Sequence, residues 1–186
     1  MTLEEMRTAL RPLLGDRRYN HSLAVERDAV ELARLYHEDV HKAAVAGLLH
    51  DCRKEMPLDE ALKIIARSDI ITDIIFEDQP GLIHGFAASV TLGDFGVDDP
   101  DIKNAVRYHT VARARMSKLE MIVFLADLTA EGRDYPDVDE MRRVTRISLE
   151  DGMRYALRYT MGKLVSKERP ICRDTWEAYN YYYFGY

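Results

Sequence analysis

Apolar positions recur at three- and four-residue steps along nearly the whole chain, the pattern of amphipathic helices. Thr2 and Glu5 make a capping-box pair ahead of Leu3, Met6, Leu10, Leu13 and Leu14, with Gly15 expected to close this first helix. Asp16 is placed to cap a second helix, whose apolar positions Leu23, Val25, Val30, Leu32 and Leu35 run to about Tyr36. Residues 40–51 differ in kind. Ala43 through Leu49 are small or apolar without a break, and they lead straight into His50 and Asp51. A helix apolar on most sides is a buried helix, so an imidazole and a carboxylate arrive at the end of a core element.

Downstream the helical rhythm continues. Pro57 suits the first turn of a helix with Leu58, Leu62, Ile64 and Ile65 on its apolar side. Ile70 to Phe76 is β-branched, but with helices on both sides it is expected to be a short helix. The Gln79-Pro80-Gly81 turn precedes a helix carrying His84, Ala87, Ala88, Val90 and Leu92. Asp98-Asp99-Pro100 opens the next, which brings Ile102, Ala105, Val106 and His109. Ser117 and Glu120 form another capping box before Met121–Leu128, an apolar run with Asp127 written into it. Asp137 with Glu140 begins helices to about Leu164, Arg169-Pro170 interrupts, and Asp174 or Thr175 is placed to cap a last helix ending in Tyr179–Tyr186. With no repeat, linker or compositional break, the expectation is one all-α domain over 1–186.

Charge and cysteine usage narrow the function classes. Lys and Arg number 26 against 32 Asp and Glu, for a net charge of −6 and no long basic run, so a nucleic-acid partner is not expected. Cys52 and Cys172 supply neither a disulfide framework nor a CxxC site, which fits a reducing cytoplasm. The start, Met1 to Glu5, lacks the basic end and apolar run of a signal peptide, and no stretch approaches the roughly 20 apolar residues of a membrane span. A cytoplasmic protein without a membrane partner is the expectation.

The chemistry concentrates at four sites and a fifth. His50-Asp51 ends a core helix, Asp127 interrupts an apolar one, His84 and His109 sit among small or apolar neighbours, and His21 lies near the start of its helix. Taking a lone carboxylate out of water is costly unless it pairs, binds a cation or neutralises. Asp127 therefore needs a metal, an arginine or a strong hydrogen-bond set. Taken together, His21, His50, Asp51 and Asp127 are the imidazole and carboxylate types that suit a first-row divalent ion. His37 and His41, beside Glu38 and Asp39, read instead as a solvated helix junction. Lys54 follows Asp51 by three residues, so on a continuing helix its ammonium shares that side. Arg133, six residues after Asp127, and Arg18, three before His21, are further cations in sequence reach of the same residues.

The order His21, His50-Asp51, Asp127 on successive helices resembles the HD-domain metal-dependent phosphohydrolases. Arg18–Leu23, Leu48–Lys54, Ile83-His84-Gly85, Ala105–Thr110, Phe124–Asp127, Glu131–Pro136 and Pro170–Thr175 look like the YqeK-type branch of that family. The resemblance implies an all-α HD-domain helical bundle, with a metal-site core over about 18–130 and C-terminal helices over about 137–186. It also implies hydrolysis of a dinucleoside polyphosphate, diadenosine tetraphosphate going to two ADP. The implied cofactor is a divalent metal, iron with manganese or zinc as alternatives, as one or two ions.

Carried over by position, His21, His50, Asp51 and Asp127 are the metal ligands, with Asp51 bridging if two ions bind. His84 and His109 either complete a second metal position or contact phosphate, which places Asp51, Lys54, His84 and His109 in the catalytic group. Arg18, Lys54, His84, His109, Thr110, Arg133, Ile171, Cys172, Arg173 and Thr175 are the implied substrate contacts. At Cys172-Arg173 the chain departs from the family's His-Pro, a change at the nucleoside side of the pocket. The alternatives are an HD phosphohydrolase acting on another nucleotide, and a metal-stabilised nucleotide-binding module without turnover. The aromatic tail either packs back on the domain or forms a homodimer surface.

Overall fold

The computed structural model describes residues 1–70 and 78–186, so most of the expected helix at Ile70–Phe76 lies outside the described residues. Those residues form ten α-helices and two 3₁₀ turns, with no strand among them. The helices are α1 (Leu3–Leu10), α2 (Asp16–Leu35), α3 (Val40–Leu49), α4 (Leu58–Ala66) and α5 (Ile83–Thr91). They continue as α6 (Pro100–Tyr108), α7 (Lys118–Thr129), α8 (Val138–Ile147), α9 (Leu149–Ser166) and α10 (Arg173–Phe184). No helix among the described residues is long and apolar enough to cross a membrane.

Both expected capping boxes are present: the Thr2 and Ser117 hydroxyls accept from the third helical amide, and the Glu5 and Glu120 carboxylates reach back. Asp99 caps α6 through its carboxylate, with Pro100 just inside. Other expected caps shift. Gly15 rather than Asp16 precedes α2, and α1 tightens into a 3₁₀ turn, Arg11–Leu13, before Gly15 is reached. Pro57 sits at the N-cap of α4 instead of in its first turn. Cys172, not Asp174 or Thr175, precedes α10, and Asp137 enters α8 with φ 70° and no side-chain cap bond. Leu13 and Leu35, expected on buried faces, are exposed.

α2 and α3 pack closely, and α7 lies against both; α6 packs on α3, α5 and α7, while α8 and α9 cover the far side of α7. The α2–α3 crossing depends on Gly47, where a Cβ would come within 3.1 Å of Ala29 Cβ, Glu26 Cα and Val25 O. Absence of that side chain lets the backbones meet. Gly85 does the same for α5, where a Cβ would meet Arg107 O at 3.1 Å and His109 Cε1 at 3.2 Å. The main core gathers α2, α3, α6, α7 and α9, and a smaller cluster joins α4 and α5 to Val111 and Cys172. α10 packs on α9 with Ala178 and Tyr182 buried, so the aromatic tail folds back, leaving Trp176, Phe184 and Tyr186 at the surface. Both cysteines are buried, and burial pushes the Cys52 thiol up to about 12.

Candidate metal centre

The packing brings the C-terminal ends of α3, α6 and α7 toward the first turns of α2, and α5 along its N-terminal half. His50 is the C-cap of α3, and its Nδ1 lies 2.7 Å from Gly47 O. His109 is the C-cap of α6, with Nδ1 2.7 Å from Val106 O. Each ring thus donates its Nδ1–H to an unsatisfied carbonyl of its own last turn, which turns Nε2 inward. That is the tautomer a metal-binding histidine needs, held by the backbone.

The inward atoms form two overlapping groups. His21, His50 and Asp127 bring one ligand atom each to within 4.8 Å of one another, as do His50, Asp51 and His109. His50 belongs to both. Its Nε2 is fully buried, 3.4 Å from Asp51 Oδ2 and 3.7 Å from Asp127 Oδ1, with no hydrogen-bond partner. A buried polar atom left unpaired costs free energy, and this one points between two carboxylates. The residues fit a divalent cation.

Electrostatics point the same way. Burial pushes the Asp51 carboxyl up, but the charge of His50 and the nearby imidazoles of His109 and His84 outweigh it and hold Asp51 well below the usual range. Burial acts likewise on Asp127 and is overcome by the His21 bond and by the charges of His50 and Arg133, so it too stays ionised. Burial alone would lower His50, yet Asp51 and Asp127 raise its affinity for a proton above the ordinary value. That proton meets the demand of two carboxylates for a cation, and metal binding at such a site releases it.

Three cationic side chains surround the cluster. Arg18 NH1 is 2.6 Å from Asp51 Oδ2. Arg133 ion-pairs with Asp127, donates Nε–H to the Asp127 carbonyl at 2.6 Å, and lies 3.2 Å from His21 Nε2. Lys54 Nζ is 3.3 Å from both ring nitrogens of His84, and burial lowers its pKa. Lys54 gets there by a route other than the expected one: α3 ends at Leu49, and successive turns carry residues 51–55, Lys54 N bonding to Asp51 O at 2.9 Å. His84 Nε2 is 2.9 Å from Asp51 Oδ1 and 3.1 Å from His109 Nε2, and burial drives its pKa down to about 4.

Thr110 Oγ1 is buried and without a hydrogen-bond partner. Thr175 donates to Val111 O at 2.7 Å, and Cys172 Sγ is 3.2 Å from Thr175 Oγ1, which docks the Ile171–Thr175 segment two residues beyond His109. Arg173 ion-pairs with Glu177 at 2.7 Å on the surface. His37 and His41 are exposed and lie apart from the cluster, as expected. The centre is closed at one end, where the His84 and His109 side chains are 3% and 1% exposed. It opens at the other, where Asp127 and Arg133 are 18% and 33% exposed.

Reading the sequence alone missed what adjoins that open end. Ala24, Arg27, Asp28, Glu131, Arg142 and Arg146, with Arg133, line a cavity of about 540 Å³. The spacing of Ala24 and Asp28 from His21 was the available signal.

The HD domain family model matches residues 18–132, which takes in His21, His50-Asp51, His84, His109 and Asp127. The chain belongs to the HD-domain family. The symmetrical bis(5′-nucleosyl)-tetraphosphatase of Bacillus subtilis (strain 168) is 33% identical over 186 residues, all of both chains. The protein of that name from Staphylococcus aureus (strain NCTC 8325 / PS 47) is 30% identical, covering all of this chain and 96% of that one. The crystal structure of a predicted HD superfamily hydrolase involved in NAD metabolism from Clostridium acetobutylicum superposes with a TM-score of 0.93 at 33% identity, covering 98% and 97% of the two chains. These relatives place the chain in the YqeK-type branch and support an HD-domain phosphohydrolase with a divalent metal.

Proposed function

We propose that the protein is a metal-dependent hydrolase that adds water across the central anhydride of a dinucleoside tetraphosphate, giving two nucleoside diphosphates. The observation that carries the reading is the buried, unpartnered His50 Nε2 between two ionised carboxylates, inside a ring of three more imidazoles. The names of the relatives supply the substrate class.

In this reading His21, His50, Asp51 and Asp127 hold the metal, with His109 and Asp51 serving a second ion if two bind. A bound divalent ion acidifies a water and withdraws charge from a phosphoryl oxygen; iron is the expected occupant, with manganese or zinc as alternatives. Arg18 and Arg133 neutralise Asp51 and Asp127 as the protein stands, and they turn to substrate phosphate once those carboxylates hold a cation. Both present paired N–H donors suited to phosphate oxygens. Lys54 brings a third positive charge from the His84 side. His84, neutral at pH 7 because it is buried, donates Nε2–H rather than carrying charge, and so orients Asp51. Thr110 offers its unpaired hydroxyl to a phosphate oxygen. The closed end at His84 and His109 excludes bulk water, which strengthens each of these interactions. One nucleoside lies against the Ile171–Thr175 segment.

The test is product analysis. Metal-loaded protein incubated with diadenosine tetraphosphate should yield ADP as the sole nucleotide, measured by ion-exchange chromatography. ATP plus AMP would rule out cleavage at the centre, and turnover by Asp51→Ala equal to that of the unaltered protein would rule out the metal-centred reading.

A further inference from the structure

The cavity beside the open end of the centre has a shape and charge of its own. His21, Ala24, Asp28 and Glu31 lie three or four residues apart and share one face of α2. Facing them are Thr129 at the end of α7, the loop at Arg133, and α8. From His21 to Glu31 the helix rises about 15 Å, and this open cavity of about 540 Å³ falls within the size range of sites that take small organic ligands. Arg133 lines the cavity while its guanidinium holds Asp127 and approaches His21, so cavity and metal centre are continuous at that side chain.

The cavity is also locally basic. Arg27, Arg133, Arg142 and Arg146 meet Asp28, Glu31 and Glu131, four positive groups against three negative in a chain of net charge −6. Arg142 is fixed by the carbonyls of Thr129, Ala130 and Arg133, and Arg146 is held by Asp28 at 2.9 Å. Such anchored guanidinium planes stack on nucleobases. Arg27 is different. Among the described residues it ion-pairs with Glu131 at 3.0 Å, solvent-exposed on both sides, and exposed pairs of this kind are weak. Arg27 is therefore free to move to an anion.

A tetraphosphate cut at its midpoint has two equal nucleotide arms. In the reading above one arm lies against Ile171–Thr175; the centre is closed at His84 and His109 and open at Asp127 and Arg133, which directs the second arm past His21, Asp127 and Arg133. We infer that the cavity along α2 is the half-site for this second arm, with Arg27 on its phosphate, Glu31 accepting from the ribose and the α8 arginines against the base. The inference rests on the dinucleoside tetraphosphate reading above and names the place where the second nucleoside is held.

Adenosine 5′-tetraphosphate carries the same phosphate chain with only one nucleoside, so it cannot fill both half-sites. Metal-loaded full-length protein should show a higher kcat/KM for diadenosine tetraphosphate than for adenosine tetraphosphate. Arg27→Glu should lower kcat/KM for the dinucleotide about tenfold more than for the mononucleotide, the loss of one charge-assisted contact, with the difference in KM. Arg27→Lys, which keeps the charge, should retain most of the preference. Matching thermal midpoints for the variants show that the fold is intact. Equal kcat/KM for the two substrates in the unaltered protein, or equal losses on both in Arg27→Glu, overturns the half-site. If neither substrate yields a nucleoside diphosphate, the reaction itself is wrong and the half-site falls with it.

Discussion

The two ends of α7 each hold a carboxylate withdrawn from solvent, fully at Glu120 and partly at Asp127, and they use it in opposite ways. At the start, Glu120 is 1% exposed, takes two bonds from the Arg113 guanidinium at 2.7 and 2.9 Å, and closes the capping box with Ser117. One acid meets one base, and the helix start is satisfied. At the other end, Asp127 shares one oxygen between His21 and Arg133, with His50 Nε2 nearby and unpartnered. The same contrast runs along α2, where Glu26 pairs with Arg7 and Asp28 with Arg146 and Thr129, while His21 faces the centre. A buried acid with one dedicated arginine is part of the scaffold. A buried acid among several lone-pair-bearing imidazoles is a site.

The largest test of this contrast is removal of either kind of acid. Asp127→Ala and Asp51→Ala should abolish bound metal, read by elemental analysis, and lower kcat by a thousandfold or more, on the order of the several kcal/mol a metal supplies. Glu120→Gln should do the reverse. It should cost about 2 kcal/mol in urea unfolding, from the loss of a cap and a partly buried ion pair, while metal content stays stoichiometric. A fall in metal content in Glu120→Gln, out of proportion to unfolding, would erase the distinction.

A subtler break is Gly85→Ala. The added methyl meets Arg107 O and His109 Cε1, so it moves His109 without changing any ligand. We expect kcat to fall about tenfold, as misplacement of a catalytic group commonly does, with a smaller change in stability.

The smallest effect is in the pH dependence of the metal-free protein. His84 titrates at about 4 in the fold and near 6.5 when unfolded. Between those values the unfolded chain binds the extra proton, so stability falls as pH drops from 6.5 toward 4. His21, also lowered by burial, adds to the loss, and His50, raised by Asp51 and Asp127 against its own burial, opposes it. The net should be on the order of 1 kcal/mol, measured by urea titration across that range. His84→Gln should flatten the slope, whereas Glu120→Gln should leave it as it was.

How much of this could be read from the chain itself depends on the contrast each residue makes with its neighbours. His50-Asp51 and Asp127 stood out because polar groups interrupt apolar runs, and both capping boxes carry their partner at a fixed offset. Single-residue caps fall one or more positions from the expected residue at Asp16 and Asp174, while Asp137 holds its expected place without a side-chain cap bond, because Ser, Thr and Asp favour a helix start without fixing which residue leaves helical φ/ψ. Lys54 was placed beside the centre through a helix that in fact ends five residues earlier; a turn delivered it to the same neighbourhood. Arg27, Arg142 and Arg146 carried no local signal. On an isolated helix they read as solvated charge, and only the approach of α8 to α2 turns them into the wall of a cavity.

The pairing of Arg18 with Asp51 and of Arg133 with Asp127 also bears on how the protein is made. A chain that carries its own counterions need not wait for a metal before it collapses, in contrast to small domains that fold only when loaded. Assembly and metallation are then separate events in the life of the molecule. A divalent ion would then enter a fold already formed, and its identity would follow geometry and supply.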